Sequence, residues 1–202
     1  MDEFPEFHSS VIDALREPLE EKRITVARAR GSVTFPAHCI LVVAMNPCPC
    51  GYGDDRCTCS GGRREQYLHK ISGPLIDRID VWVAVSKIEY EKFGSESGKG
   101  ENSSAAAERI ARARAFQHDR CRRHGIDAKC NSELGVTEME KTISLSPALS
   151  LFFSATAERL GLSGRGYHRI LKISRTIADL DGKENIERPH ILEALQYRQK
   201  LV

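Results

Sequence analysis

Residues 39–62, "CILVVAMNPCPCGYGDDRCTCSGG", decide how this chain is expected to fold. The stretch begins with an apolar run and then reaches Asn46. A continuous apolar run rich in β-branched residues predicts a strand buried on both faces, as in a parallel sheet that helices cover. Residues 79–87, "IDVWVAVSK", repeat this pattern. The sequence therefore predicts an α/β fold with a parallel sheet.

Four cysteines follow the first predicted strand in two Cys-x-Cys pairs, and these are Cys48, Cys50, Cys57 and Cys59. Four soft thiolates on one short loop predict a tetrahedral Zn²⁺ site. Such a closed site would be structural, because it leaves no coordination position for a substrate. A redox-active cysteine pair is the alternative interpretation. The other three cysteines stand apart and are expected to be ordinary free thiols: Cys39, Cys121 and Cys130.

Composition narrows the class of protein. Of the 202 residues, 41% are hydrophobic, and no apolar run is long enough to cross a bilayer, so we expect no membrane anchor. The formal net charge of +2 gives no argument for nucleic acid by itself. The odd number of cysteines and the lack of a secretory signal indicate a cytoplasmic location, where clustered thiols bind metal rather than form disulfides.

The rest of the first half alternates helix and strand. Helical spacing of apolar residues predicts a helix over residues 9–21, and a second helix is expected over residues 63–71. Residues 23–35, "RITVARARGSVTF", alternate apolar and polar side chains on both sides of a glycine. This alternation predicts a β-hairpin with a basic tip at Arg28 and Arg30.

The second half is predicted to be helical throughout. Residues 94–104, "GSESGKGENSS", are typical of a polar linker that cannot bury enough apolar area to order itself. Capping and stop signals then predict four helices, over residues 104–124, 146–161, 163–182 and 189–199. We therefore expect three regions: residues 1–93, 94–135 and 136–202.

Four strings, in the order "DEFPEF", "VAMNPCPCG", "ISGPLIDRID" and "ISRTIADLDG", extend over nearly the whole chain. Together they resemble the magnesium-chelatase-like AAA+ ATPases of the ComM/YifB type. The resemblance implies that residues 1–93 are the second half of a P-loop core with a β-hairpin insert, and that an all-α lid follows. It also implies a hexameric ring that uses ATP and Mg²⁺ and promotes DNA branch migration.

One element of that family is missing from the sequence. The Walker A string Gly-x-x-x-x-Gly-Lys-Ser/Thr, whose backbone amides bind the phosphates, does not occur. The resemblance therefore implies that the chain corresponds to the C-terminal portion of the family's protein, beginning within the Walker B element. We expect this chain alone to be inactive as an ATPase.

The resemblance assigns roles to three residues near the predicted sheet. Asp2 corresponds to the Walker B acid that holds Mg²⁺, and Glu3 to the acid that orients the attacking water. Asn46 corresponds to the sensor 1 amide at the γ-phosphate. The alternatives are an acidic chain end for the two carboxylates and a turn that stops the strand for Asn46.

The resemblance also assigns roles to two arginines. Arg78 corresponds to the arginine finger, which reaches the site of the next subunit, and a local ion pair with Asp77 or Asp80 is the alternative. Arg165 corresponds to sensor 2 near the start of a lid helix. On the same helical face, Arg169 is expected simply to be solvated.

Two other functions compete with the DNA-remodelling ATPase. One is a zinc-stabilised module that contacts nucleic acid through the hairpin tip and hydrolyses nothing. The other is a magnesium-chelatase motor subunit, in which the same ATPase drives metal insertion into a porphyrin. The cysteine loop and the "ISGPLIDRID" string favour the DNA enzyme, through resemblance alone.

Overall fold

A computed structural model describes residues 1–86 and 100–198 of the chain. Two compact units are present, Met1–Ile79 and Asp80–Val202, and each is described by itself. Most of the predicted polar linker, and the predicted boundary at residue 93, lie outside the described residues. The division into three regions stays a prediction.

Helices and a hairpin make up the first unit. After a 3₁₀ turn at Phe4–Glu6, its elements are α1 (Ser9–Ala14), α2 (Arg16–Glu21), β1 (Arg23–Arg28), β2 (Gly31–Pro36), α3 (Gly61–His69) and α4 (Gly73–Ile76).

The helix predicted over residues 9–21 is interrupted and forms α1 and α2 instead. Pro18 explains the break, because it has no N–H to donate to the carbonyl of Ala14. The chain turns at Leu15 and begins a second helix, in which Leu19 N–H donates to Leu15 O at 3.2 Å.

The predicted hairpin is confirmed. Strands β1 and β2 pair antiparallel from Arg23 opposite Pro36 to Arg28 opposite Gly31. All residues of both strands are exposed. Arg28 and Arg30 therefore stand at the tip of a solvent-exposed ribbon, as the sequence predicts.

The predicted parallel sheet is not present among residues 1–86 and 100–198, and the P-loop core stays a prediction. Residues 39–46 and 79–86 contain no assigned strand, and the β1–β2 ribbon is the sheet of the described residues. Ile40 is 88% exposed and Val85 is 91% exposed. A buried parallel strand needs neighbouring strands and covering helices, which the described residues do not supply to these segments.

One short parallel contact remains beside residues 42–44. The amino group of Met1 donates to Val42 O at 2.8 Å, and Ala44 N–H donates to Met1 O at 2.9 Å. This is the hydrogen-bond pattern of a single parallel bridge between Met1 and Val43. Phe4 N–H then donates to Ala44 O at 3.0 Å, so the first residues lie alongside this segment.

The small core of the first unit packs α1 and α4 against the extended segment. Its buried residues are Phe4, Ile12, Ile71 and Leu75, with Val43 and Met45 partly buried against them. Alternation along residues 40–45 therefore persists: Val43 and Met45 face this core, whereas Ile40 and Val42 face outward.

The second unit is helical, as predicted. Its helices are α5 (Ser103–Arg123), α6 (Val136–Thr142), α7 (Pro147–Arg159), α8 (Gly164–Leu180) and α9 (Arg188–Gln196), with a 3₁₀ turn at Asn131–Glu133. Helix α6 was not predicted. The core includes Phe153, Ile170, Ile177 and Ile191. None of the helices within residues 1–86 and 100–198 is long and apolar enough to span a membrane.

A buried polar cluster joins α5 to α8. Asp179 accepts hydrogen bonds from Arg120, from Arg175 Nε at 3.1 Å and from Asn131 Nδ2 at 2.9 Å. All four side chains are buried. Burial lowers the pKa of Arg175, whose Nη1 also donates to Glu184 O at 2.7 Å. The cluster fixes the long helix against the helix that carries Arg165.

Candidate functional site

The four cysteine sulfurs of the loop converge. All four Sγ atoms lie within 4.8 Å of one another. Cys48 Sγ is 3.3 Å from Cys50 Sγ and 3.5 Å from Cys57 Sγ. A tetrahedral zinc with bonds of about 2.3 Å separates its sulfurs by about 3.8 Å. The donor set, the absence of any disulfide among these four thiols and their spacing fit one Zn²⁺.

Two glycines allow the loop to close on itself. Gly51 has φ +83° and Gly53 has φ +64°, both in the left-handed region. A Cβ on Gly53 would lie 2.4 Å from Pro47 Cγ, so a side chain cannot fit there. Gly51 N–H donates to Cys48 O at 3.0 Å, which turns the chain back after the first cysteine pair.

The far side of the loop is held by an ion pair and a helix cap. Arg56 Nη2 contacts Asp54 Oδ2 at 2.7 Å, and the Arg56 guanidinium lies 4.9 Å from the ring centroid of Tyr52. Immediately after the last cysteine, Ser60 Oγ accepts the N–H of Arg63 and begins α3. The residues on both sides of the second cysteine pair are therefore held in place, before it by the Arg56–Asp54 ion pair and after it by helix α3.

The electrostatics of the cluster differ from one thiol to the next. A backbone hydrogen bond from Tyr52, with a hydrogen bond from the Cys48 thiol, lowers the pKa of Cys50 to about 5. Burial, with a hydrogen bond to Cys50, raises the pKa of Cys59 to about 11. Zinc binds thiolates, so metal binding would displace the protons that the cluster still carries.

Asn46 lies between the cysteine loop and helix α3. Its side chain is exposed, and an added Cβ on Gly51 would lie 4.0 Å from Asn46 Cγ. From the other side, the buried Tyr67 of α3 hydrogen-bonds the Asn46 backbone. Burial and the nearby Glu6 carboxylate outweigh this bond and raise the pKa of the Tyr67 hydroxyl. The loop and α3 thus restrain the residue predicted as sensor 1.

Asp2 and Glu3 are exposed beside the same segment. Asp2 Oδ1 accepts the N–H of Glu3 at 2.8 Å. Glu3 has φ 49°, a left-handed conformation that costs a residue with a side chain about 1 kcal/mol or more. Because residues 1–4 run alongside residues 42–44, the structure brings the acidic pair and Asn46 into one region of the first unit.

Arg78 lies just after α4 and is enclosed. Its side chain is 18% exposed and forms an ion pair with Glu20 of α2. Its other terminal nitrogen donates to Pro74 O. The ion pair expected as an alternative, with Asp77 or Asp80, is replaced by this pair with Glu20.

Arg165 belongs to the second unit, at the start of α8. It is exposed, and Ser163 Oγ caps the helix by accepting Gly166 N–H at 3.1 Å. Arg169, expected to be solvated, is instead largely buried, and its Nε lies 3.3 Å from Asp80 Oδ1. Arg165 shares no compact unit with the other predicted site residues.

Three features of the site were not found in the sequence. The sequence places Glu20 in an amphipathic helix without a partner for its carboxylate, and it indicates no contact for Tyr67. Arg175 and Asp179 stand one helical turn apart inside the string "ISRTIADLDG". That spacing of opposite charges places both residues on one side of the helix and could have indicated an ion pair.

Two sequence families match the chain in succession. The family described as magnesium chelatase, subunit ChlI, matches residues 1–93. The family described as magnesium chelatase, subunit ChlI C-terminal, matches residues 100–198. The resemblance deduced from the four strings is confirmed.

Individual relatives agree with these matches. Competence protein ComM of Haemophilus influenzae is 40% identical over 199 residues, which are 98% of this chain and 38% of ComM. The uncharacterized protein YifB of Escherichia coli is 36% identical over 199 residues, with the same shares. An uncharacterized protein of Mycobacterium tuberculosis is 35% identical over 200 residues, 98% of this chain and 39% of that protein. The chain therefore spans less than two-fifths of the length of these curated relatives.

Proposed function

The chain belongs to the magnesium-chelatase-like family, and from that premise we propose that it is the C-terminal portion of an AAA+ ATPase that couples ATP hydrolysis to DNA remodelling. The observation that carries this proposal is the parallel contact of Met1 with residues 42–44. This contact supports the proposal because it sets the first residues, which include Asp2 and Glu3, alongside the segment that leads to Asn46. Carboxylates beside an amide are the groups that Mg²⁺ and a phosphate-bound water require.

In this proposal each site residue has one task. Asp2 holds Mg²⁺ through its water shell, and Glu3 orients the attacking water. Asn46 donates to the γ-phosphate, and Arg78 of a neighbouring subunit neutralises charge that develops during transfer. Arg165 contacts the nucleotide from the lid. A ring, hexameric by resemblance, supplies the neighbouring subunit.

The cysteine loop holds a structural Zn²⁺ in this proposal. Convergence of the four sulfurs supports it, and the ligands are Cys48, Cys50, Cys57 and Cys59. With the ion held, the four cysteines would tie together the loop between Asn46 and α3 and would thereby restrain both. Reduced thiols are needed for such a site, which supports a cytoplasmic location.

DNA is the proposed substrate of the assembled enzyme. One relative is named a competence protein, which supports a role with incoming DNA. The exposed hairpin supports a contact with DNA phosphates, because Arg28 and Arg30 stand at its tip. Such a contact does not require recognition of the bases. Contacts between Lys or Arg and phosphates do not depend on the DNA sequence.

Two other functions are kept as alternatives. The first unit contains both the cysteine cluster and the basic hairpin, and this favours a zinc-stabilised nucleic-acid module as the second candidate. The description of the matching families favours a magnesium-chelatase motor as the third. Of these two, the zinc-stabilised module would not hydrolyse ATP, whereas the magnesium-chelatase motor would.

Substitution of Arg78 tests the proposal. The chain is combined with a separately expressed half that carries the phosphate-binding loop, and ATP turnover is measured. Arg78→Ala is expected to lower kcat by about a thousandfold or more while nucleotide binding is retained, because a finger acts on transition-state charge. Arg64→Ala, at an exposed position of α3, is the control and should leave turnover unchanged. Lost nucleotide affinity with normal kcat would show that Arg78 is structural.

A further inference from the structure

We propose that Glu20 positions Arg78, and that helix α2 thereby couples the basic hairpin to this arginine. This inference rests on the proposed function in one respect: that function assigns Arg78 as the arginine finger, and it assigns the hairpin tip as the contact with nucleic acid. The arrangement of Glu20, α2 and Arg78 is itself a property of the first unit.

Arg78 is held within its own unit from two sides. One terminal nitrogen contacts the Glu20 carboxylate, and the other donates to Pro74 O. Arg78 Nε is buried and has no hydrogen-bond partner among residues 1–86 and 100–198. Only 18% of the Arg78 side chain is exposed, so water cannot easily replace the Glu20 carboxylate as the partner of the guanidinium. We therefore expect Arg78 to leave Glu20 only when another anion binds the guanidinium.

Helix α2 is tied to the α4 segment at a second point. Arg16 Nη2 donates to Ser72 Oγ at 2.9 Å, and Ser72 Oγ donates to Asp13 Oδ1 at 3.2 Å. Leu19 packs against the hydrophobic cluster that contains Leu75. Polar contacts near both ends of α2, with Leu19 between them, hold this helix against residues 72–78.

The other end of α2 leads directly into the hairpin. Lys22 is the single residue between α2 and β1, with φ 53°. Arg23 Nη2 contacts Glu21 Oε2 at 2.9 Å, and Ala37 N–H donates to Lys22 O at 2.7 Å. These bonds close the base of the hairpin against the last turn of α2. A displacement of the hairpin is therefore passed to Glu20 without an intervening flexible loop.

The positioning role is tested on the full chain by arginine modification. Phenylglyoxal reacts with accessible guanidinium groups, and peptide mass spectrometry measures the rate at each arginine separately. Glu20→Gln is expected to raise the modification rate of Arg78 about three- to fivefold, the range of a partly enclosed ion pair. Glu20→Asp, which keeps the charge on a shorter side chain, should give an intermediate rate.

The control is Glu17→Gln, which removes the same charge from the same helix. Glu17 is exposed and forms no ion pair within the described ranges, so the Arg78 rate should stay at the wild-type value. Equal Arg78 rates in wild type and Glu20→Gln would overturn the positioning role. An equal rise in Glu20→Asp and Glu20→Gln would indicate general loosening and would also overturn it.

The coupling is tested by adding an oligothymidylate. Protection of Arg28 and Arg30 reports nucleic acid at the hairpin tip, and a changed rate at Arg78 reports coupling. We expect both effects in wild type and Glu17→Gln, and protection without any Arg78 response in Glu20→Gln. An identical Arg78 response in Glu20→Gln would overturn the coupling. Absence of protection in wild type would refute both the hairpin contact and the coupling, and the rates without nucleic acid would still decide the role of Glu20.

Discussion

The four cysteine sulfurs lie too far apart for a disulfide and close enough together to share one bound ion. The distance of 3.3 Å between Cys48 Sγ and Cys50 Sγ is far longer than a disulfide bond of about 2.05 Å. It is also slightly shorter than the edge of about 3.8 Å in a zinc–thiolate tetrahedron. The one-residue spacer of each pair explains the closeness, since Cys48 and Cys50 share a tight turn.

Zinc content tests this interpretation directly. Protein purified without added metal is expected to contain about one zinc per chain, because four convergent thiolates bind Zn²⁺ tightly at neutral pH. Cys57→Ser should lower that content strongly, whereas Cys39→Ser should not, since Cys39 is exposed and outside the cluster. Elemental analysis and thiol titration provide the measurement. A folded, metal-free wild type with four reactive thiols in the loop would contradict the prediction.

The buried carboxylate of Asp179 makes a second prediction at this scale. Removing its charge leaves Arg120 and Arg175 buried without their shared anion, so Asp179→Asn should lower the free energy of unfolding by about 3–5 kcal/mol. Asp119→Asn is the control, because its pair with Arg122 is exposed and is worth less than about 1 kcal/mol. Urea unfolding followed by circular dichroism measures both. Equal losses in the two variants would refute the special role of the buried cluster.

Sequence patterns could predict the cysteine cluster but not the partner of Arg78. The cysteines are close in sequence, so spacing alone brings Cys48 and Cys59 together. Arg78 instead contacts Glu20, which is distant along the chain, and only the tertiary structure of the first unit brings the two together. Tyr67 reaches Asn46 for the same kind of reason. Local chemistry predicts local contacts, and long-range pairs require the fold.

At the scale of elements, the sequence predicts the longer helices correctly, whereas the parallel strands that it predicts are not formed in the described part of the chain. Ser146 and Ser163 cap α7 and α8 through their side chains, and these signals are contained within each segment. A helix satisfies its own backbone, whereas a strand depends on neighbours. Residues 39–46 therefore keep the alternation of inward- and outward-facing side chains without forming the hydrogen-bond ladder of a sheet. The helix predicted over residues 9–21 contains Pro18, which cannot donate to the carbonyl of Ala14, and the segment therefore forms two short helices.

The hairpin is the element through which nucleic acid is expected to bind. Replacing both Arg28 and Arg30 by Gln should weaken oligothymidylate binding and reduce the dependence of affinity on salt, because fewer counterions are released. Arg23→Gln is the matched control at the base of the same ribbon, where Arg23 contacts Glu21. Fluorescence anisotropy over a salt series measures the slope. An unchanged slope in the double variant would exclude the tip as the contact.

At the scale of the molecule, apolar faces remain uncovered in both units. Val42 is 72% exposed in the first unit and Val83 is 66% exposed in the second. Extended segments with apolar side chains and unpaired edges are surfaces that other strands can cover. The matched relatives are more than twice as long as the aligned region, which is consistent with additional structure in those proteins.

The chain alone is expected neither to bind ATP tightly nor to hydrolyse it. No Walker A string is present in the 202 residues to supply phosphate-binding amides and a lysine, and Asp2 and Glu3 are exposed with little burial to order them. Calorimetry with ATP and a turnover assay on the isolated chain should therefore give no signal. Activity should arise when a separately expressed half with the phosphate-binding loop is added, and it should then disappear in the Glu3→Gln variant, because that residue is proposed to orient water. Asp55→Asn, an exposed acid in the cysteine loop, is the control and should keep the restored activity. Turnover by the isolated chain would refute the proposal that a second half must supply the phosphate-binding groups.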